Sequence, residues 1–352
     1  MFVFSFALVF VNQSLAQKNT AKEIDSVATN LFETGQIYGG ILVAEGVDII
    51  YNKAFGMSDK EAKTPNSENT LFPINSMTKS FTAVLVLQLY EEGVIKLNNP
   101  ISLYVPEFKH SKANQITIHD LLCHRSGLQD YFLVQLNNKM DFDISRNEML
   151  EVIAQMELEF EPGTAFSYNN TGYVLLAMAV EKLRQSSFKD ALDKYIIRPL
   201  DMTNTTYSST DKLMGSVKLY DQNGNTAQTN RYFIGDAGIF STTKDLHKFL
   251  MSIKSDKLLS EKTWELALTP HSLPEEATRD FPAHFSPYGY GFGLTEWPYK
   301  GSMNKMTANH GGAGFGSSSY MARFIDNDRI IIFWNNQFKP PIQPVIFGTM
   351  AK

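Results

Sequence analysis

Cysteine is almost missing from this chain of 352 residues: Cys123 stands alone. A single thiol excludes an intramolecular disulfide and any metal site built on a cysteine cluster. A basic excess is missing too. The 37 acidic against 32 basic residues give a formal charge of -5, which leaves no electrostatic footprint for nucleic acid. Long apolar runs are scarce. The clearest, Phe2 to Val11, is about half of the ~20 residues needed to span a bilayer. No internal repeat, low-complexity tract or block of like charge breaks the pattern.

What is present fits a well-packed globular protein: 43% of residues are hydrophobic and 12% aromatic, on a length that suits one large domain or two ordinary ones. The apolar start is followed by polar residues. Ser14-Leu15-Ala16 offers small residues where a signal peptidase reads, with cleavage after Ala16. The expectation is a signal peptide over 1–16 and a periplasmic or secreted mature chain, although the leader has no Lys or Arg before its apolar run.

Beyond the leader, residues 20–35 read as an amphipathic helix, and "YGGILVAEG" and "VDIIYNKAFG" as a hairpin around Glu45-Gly46. A buried helix is expected from near Ser76 to Gly93. From about 98 to 230 helical patterns dominate. Strand-like runs return in "YGYGFGLTEW", "SSSYMARFID" and "RIIIFWNNQ", after the helix "TKDLHKFLMSIK". Strands at both ends with a helical middle predict a discontinuous α/β domain (17–97 and 232–352) carrying an inserted all-helical domain (98–231).

The helix from Ser76 poses a question. Phe81, Ala83, Val84, Leu85, Val86, Leu87 and Leu89 make it apolar all round. Yet Lys79 lies in its first turn, where the macrodipole disfavours a cation. Ser76 and Lys79 are three apart, so their side chains can touch. Burial and the helix N-terminus both favour a neutral amine there, beside a hydroxyl it could activate. The rival reading is an ordinary capping serine with a lysine reaching for water. In "GTAFSYNNTGYVLLAMAVE", Tyr168 and Asn170 lead into a second apolar helix. They could relay protons and hold a carbonyl, or could be a buried tyrosine and a capping asparagine. In "ANHGGAGFGSSSYMARF", His310-Gly311-Gly312 reads as the opening of a strand that a ligand could approach closely, or as a glycine-rich turn with a surface histidine.

In this order and spacing, Ser76-Met77-Thr78-Lys79, Tyr168-Asn169-Asn170 and His310-Gly311-Gly312 resemble the three motifs of the serine β-lactamase and penicillin-recognising family. "ITIHDLLCHRSGLQDY", "RPLDMTNTTY" and "GDAGIFSTTKDLHKFL" are similar to segments of its class C and family VIII esterase branch, and the likeness runs from about residue 22 to 336. The resemblance implies an antiparallel sheet flanked by helices with an inserted helical domain, and a site at the seam between them. It implies Ser76 as nucleophile, Lys79 and Tyr168 sharing the acid–base work, and Asn170 positioning substrate and Lys79. It also implies an oxyanion hole from the backbone N–H groups of Ser76 and Ala313, with His310, Gly311 and Gly312 against the substrate. No metal or cofactor is implied, and the partner is a small-molecule or short-peptide substrate.

His310 departs from the lysine that reads a β-lactam carboxylate in the family. A mostly neutral imidazole grips a carboxylate less well, and the His-x-Gly variant resembles that of D-aminopeptidases, related D-stereospecific peptidases and esterase-like members. A true β-lactamase or DD-carboxypeptidase is the alternative, and a non-catalytic binding homologue the outside one. Asp236 stands where the family usually has small residues. "KPPIQPVIFGTMAK" is short for the closing helix that the resemblance implies. His119, Cys123 and His124 in "HDLLCH" lack further ligands for a zinc site and read as a packed helix start. Tyr288 and Tyr290 fit either a core strand or a cleft wall.

Overall fold

The computed structural model describes residues 19–138, 144–210, 213–227, 234–278, 286–299 and 302–337. The signal peptide expected over residues 1–16 and the C-terminal segment from Lys339 lie outside the described residues.

Helix α1 (19–33) presents Ile24, Ala28 and Leu31 at helical spacing to the core. The expected hairpin follows as β1 (Gly39–Glu45) and β2 (Asp48–Ala54), turning at Gly46 with a φ of 56°. The short strands β3 (Met57–Asp59) and β4 (Thr64–Pro65) pair with each other, and β5 (Phe72–Pro73) leads into the buried helix α2 (Thr78–Glu91). Ser76 does not open that helix. It sits in a 3-10 turn, Asn75–Met77, which the left-handed Asn75 (φ 51°) sets up. Next come α3 (Ile118–Leu122), α4 (Tyr131–Asn137), α5 (Arg146–Gln155), α6 (Thr171–Arg184) and α7 (Phe188–Leu192). Helix α6 packs against α2, α3 and α7; in it every residue from Thr171 to Val180 is buried, as is most of α2. β6 (Thr206–Tyr207) and β7 (Ile239–Ser241) form a small sheet with β5. After α8 (Thr243–Ser252) and α9 (Glu261–Ala267) the chain returns to the main sheet with β8 (Gly293–Tyr299), β9 (Ser302–Gly314), β10 (Ser317–Phe324) and β11 (Arg329–Asn335).

The main sheet is antiparallel in the order β2-β1-β11-β10-β9-β8. This is the fold class expected from the sequence. Strand β11 explains its own composition. Ile330, Ile332 and Trp334 join the core under α2 and α8, whereas Ile331 and Phe333 pack into the cluster with Ile24, Ala28 and Leu31 of α1. Alternate residues of a strand face opposite sides, so a strand covered on both faces must be apolar throughout.

Two strand expectations change. The His310-Gly311-Gly312 motif does not open a strand; it lies near the end of β9, whose first residue is Ser302. Tyr288 and Tyr290 precede β8 instead of belonging to it, and both are buried.

Strand β9 fixes the Ser76 turn from outside. A Cβ on Gly312 would lie 2.4 Å from the Ile74 carbonyl oxygen and 2.5 Å from Ser319 Oγ, so only glycine fits. Ser319 Oγ donates to that carbonyl at 3.0 Å, and Asn75 Nδ2 donates to Ser317 Oγ at 3.1 Å. Gly312→Ala must therefore push strand and turn apart. It should cost about 1–3 kcal/mol of stability, as overpacking does, read as a lower urea midpoint, and should slow phosphonate labelling of the folded protein.

Candidate active site

Ser76 is half-buried on its turn and Lys79 is fully buried one turn later. The start of α2 carries no side-chain cap, so Ser76 is not occupied as a capping residue. Lys79 Nζ lies 3.3 Å from Ser76 Oγ, 2.7 Å from Asn170 Oδ1 and 3.1 Å from the Asp236 carbonyl oxygen. A buried amine needs such partners, and these come from three separate parts of the chain.

Asn170 begins α6 but does not cap it with its side chain. Its neighbour Asn169 takes that role, accepting the Gly172 N–H through Oδ1 at 2.9 Å. The Asn170 amide is oriented from behind. Nδ2 donates to both oxygens of Asp130, at 3.2 and 3.0 Å, which turns Oδ1 towards Lys79. Asp130 also accepts the Phe132 N–H and thereby caps α4. The sequence reading left Asp130 out. Its signal was the capping position before "YFLVQL", which reads as local structure only.

Tyr168 places its ring beside the lysine, 5.1 Å from Nζ to centroid. Its other neighbours are His124, with ring centroids 4.3 Å apart, and Tyr288 and His310, each at 6.2 Å. Asp236 lines the cleft. Its carbonyl holds Lys79, and its carboxylate accepts the Tyr131 hydroxyl at 3.0 Å.

His310 is buried, with both ring nitrogens in use: Tyr288 Oη lies 3.0 Å from Nε2, and the Gly311 carbonyl 2.6 Å from Nδ1. Only a protonated Nδ1 can serve a carbonyl, so Nε2 accepts from the tyrosine and the ring is the neutral tautomer. Burial, and after it the charge of Lys79, push its pKa down to about 3. Exposure alternates along this end of β9: His310 and Gly312 are buried, while Gly311 and Ala313 are exposed.

The cleft in front of Ser76 has a volume of about 620 Å³. Ser76, Asn170 and Ala313 border it. Phe132 and Phe315 make an apolar wall, rings edge-on at 6.0 Å, and Asp221 and Asn223 form a polar end. No described lining residue is Lys, Arg or His.

The other candidates are structural. His119 Nδ1 lies 2.6 Å from Tyr290 Oη, and burial pushes the Cys123 thiol up to about 12. No group of three or more possible metal ligands occurs among the described residues.

Residues 24–346 match the family model described as Beta-lactamase. Penicillin-binding protein 4* of Bacillus subtilis is 29% identical over 342 residues, covering 91% of this chain and 73% of that one. Protein flp of Staphylococcus aureus is 28% identical over 247 residues, 66% of this chain and 48% of the relative, so the chain spans about half of that protein. Among solved structures, EstCE1, a hydrolase with promiscuous acyltransferase activity, superposes with a TM-score of 0.79 over 96% of this chain and all of that one; at 20% identity this likeness speaks for the fold alone. The chain belongs to the Beta-lactamase family and is a serine hydrolase of that fold.

Proposed function

We propose that this protein is an exported serine hydrolase that cleaves small uncharged esters or amides, such as short acyl esters and D-amino acid amides, through an acyl-enzyme on Ser76. The observation that carries this reading is the 3.3 Å contact between Lys79 Nζ and Ser76 Oγ at the mouth of the cleft. Export rests on the leader-like residues 1–16.

In this reading Ser76 Oγ attacks the acyl carbonyl while its proton passes to the basic pair of Lys79 and Tyr168. The N–H groups of Ser76 and Ala313 take the developing oxyanion. The tetrahedral intermediate collapses, the C–O or C–N bond breaks, and the leaving group collects the proton. Water then attacks the acyl-enzyme by the same route, releasing the acid and restoring the serine. Asn170, held by Asp130, keeps Lys79 in register throughout.

The preference for uncharged substrates follows from charge. A carboxylate gains ~1.5–3 kcal/mol from a charge-assisted hydrogen bond. A neutral His310 with both nitrogens already bonded offers none.

Ser76→Ala should abolish turnover of p-nitrophenyl butyrate and labelling by a fluorescent phosphonate, with an unchanged melting temperature. Full esterase activity in that variant would move the nucleophile elsewhere.

Wild type should show a kcat/KM for p-nitrophenyl butyrate at least about tenfold above that for nitrocefin. The ratio should not shift towards nitrocefin on acidification. A folded-state pKa pushed down to about 3 keeps His310 uncharged from pH 8 to pH 5, so no cation forms there to hold the lactam carboxylate. Efficient nitrocefin turnover at pH 7.5 would favour the β-lactamase alternative.

A further inference from the structure

His124 has no task in the acyl transfer above, yet it is built into the site against local preference. It follows the C-cap of α3, where Arg125 N–H returns to the Asp120 carbonyl at 2.7 Å, and its φ is 60°. Glycine is the usual residue at such a left-handed helix end. The imidazole is 1% exposed, and its Nε2 has no hydrogen-bond partner among the described residues. Strain and an unsatisfied buried nitrogen at one residue persist only where the surroundings use that residue.

The use lies in what His124 holds. Its carbonyl accepts the Ser167 N–H at 3.0 Å and its Nδ1 accepts the Asn169 N–H at 3.3 Å, one residue to either side of Tyr168. Its ring lies against the Tyr168 ring, centroids 4.3 Å apart, on a tyrosine that also faces Lys79. Tyr173 and Tyr288, at 5.2 and 4.8 Å, fix the imidazole in turn. A ring nitrogen that accepts a backbone N–H makes this the neutral tautomer with its hydrogen on Nε2. Burial first, and then the nearby Lys79, depresses its pKa well below the usual histidine range and keeps it in that form.

We propose that His124 is the positioning residue for Tyr168: it grips the backbone on both sides of the tyrosine and packs against its ring, so that the phenol stays beside Lys79. The inference rests on Tyr168 carrying protons for Ser76. Positioning of this kind acts on the chemical step more than on substrate affinity.

The test is a double-mutant cycle with p-nitrophenyl butyrate. Asparagine tolerates left-handed backbone and places an oxygen near the position of Nδ1, but removes the ring. In wild-type background His124→Asn should lower kcat about tenfold or more while KM changes less than about twofold. In Tyr168→Phe background the same substitution should change kcat less than about twofold, because the hydroxyl it positions is gone. A folded His124→Asn protein with wild-type kcat overturns the proposal, and so does an equal loss with and without the Tyr168 hydroxyl. A Tyr168→Phe enzyme as active as wild type would instead remove the proton-carrier reading, and this inference with it. Nitrogen-15 spectra of wild type decide independently, even where the variant fails to fold. His124 should show a protonated Nε2 and no titration between pH 5 and 8; an Nδ1–H tautomer overturns the clamp.

Discussion

Burial of the Lys79 amine is the constraint on which the rest of the site depends. A nitrogen withdrawn from water is tolerable only with close polar partners, and this one has Ser76 Oγ, Asn170 Oδ1 and the Asp236 carbonyl. Each arrives on a different element: the turn before α2, the start of α6 and the segment before β7. The three must be held together for the lysine to stay where it is. Much of the surrounding polar structure does this: Asp130 orients Asn170, Tyr131 donates to Asp236, and Asn169 relieves Asn170 of capping.

The serine is held differently. Its turn is pressed between the helix behind it and the sheet in front of it. The close approach of β9 at Gly312, with Ser319 and Asn75 bonded across the gap, sets Ser76 against the exposed residue Ala313. Backbone–backbone proximity of this sort cannot be adjusted by a rotamer, which makes it a rigid way to hold the Ser76 turn. On the apolar side of the cleft Phe132 and Phe315 meet edge-on.

Aromatic packing links the second and third motifs. Tyr168, His124, Tyr288 and His310 form one contiguous set, and both imidazoles in it are kept neutral by burial and by Lys79 nearby.

The sequence by itself determined the local features. Ser76 and Lys79 are three residues apart, and the short turn that runs into the apolar helix α2 brings them together by local geometry. The apolar runs of α2, α6 and β11 announce burial, and the alternation around Glu45-Gly46 announces a hairpin. Only the tertiary structure decided the rest. Strand β9 was not legible before His310 because "SMNKMTAN" shows no apolar alternation; it is a strand because β8 and β10 pair with it. Asp130 reads as a helix cap, and its hold on Asn170, 40 residues away, exists only once the chain has folded. The same applies to the Asp236 carbonyl, 157 residues from the lysine it serves, and to the imidazole of His310, whose burial no local pattern encodes. Sequence periodicity reports contacts within a few residues, while the partners that satisfy a buried polar group are chosen by whichever distant backbone the fold brings within about 3 Å.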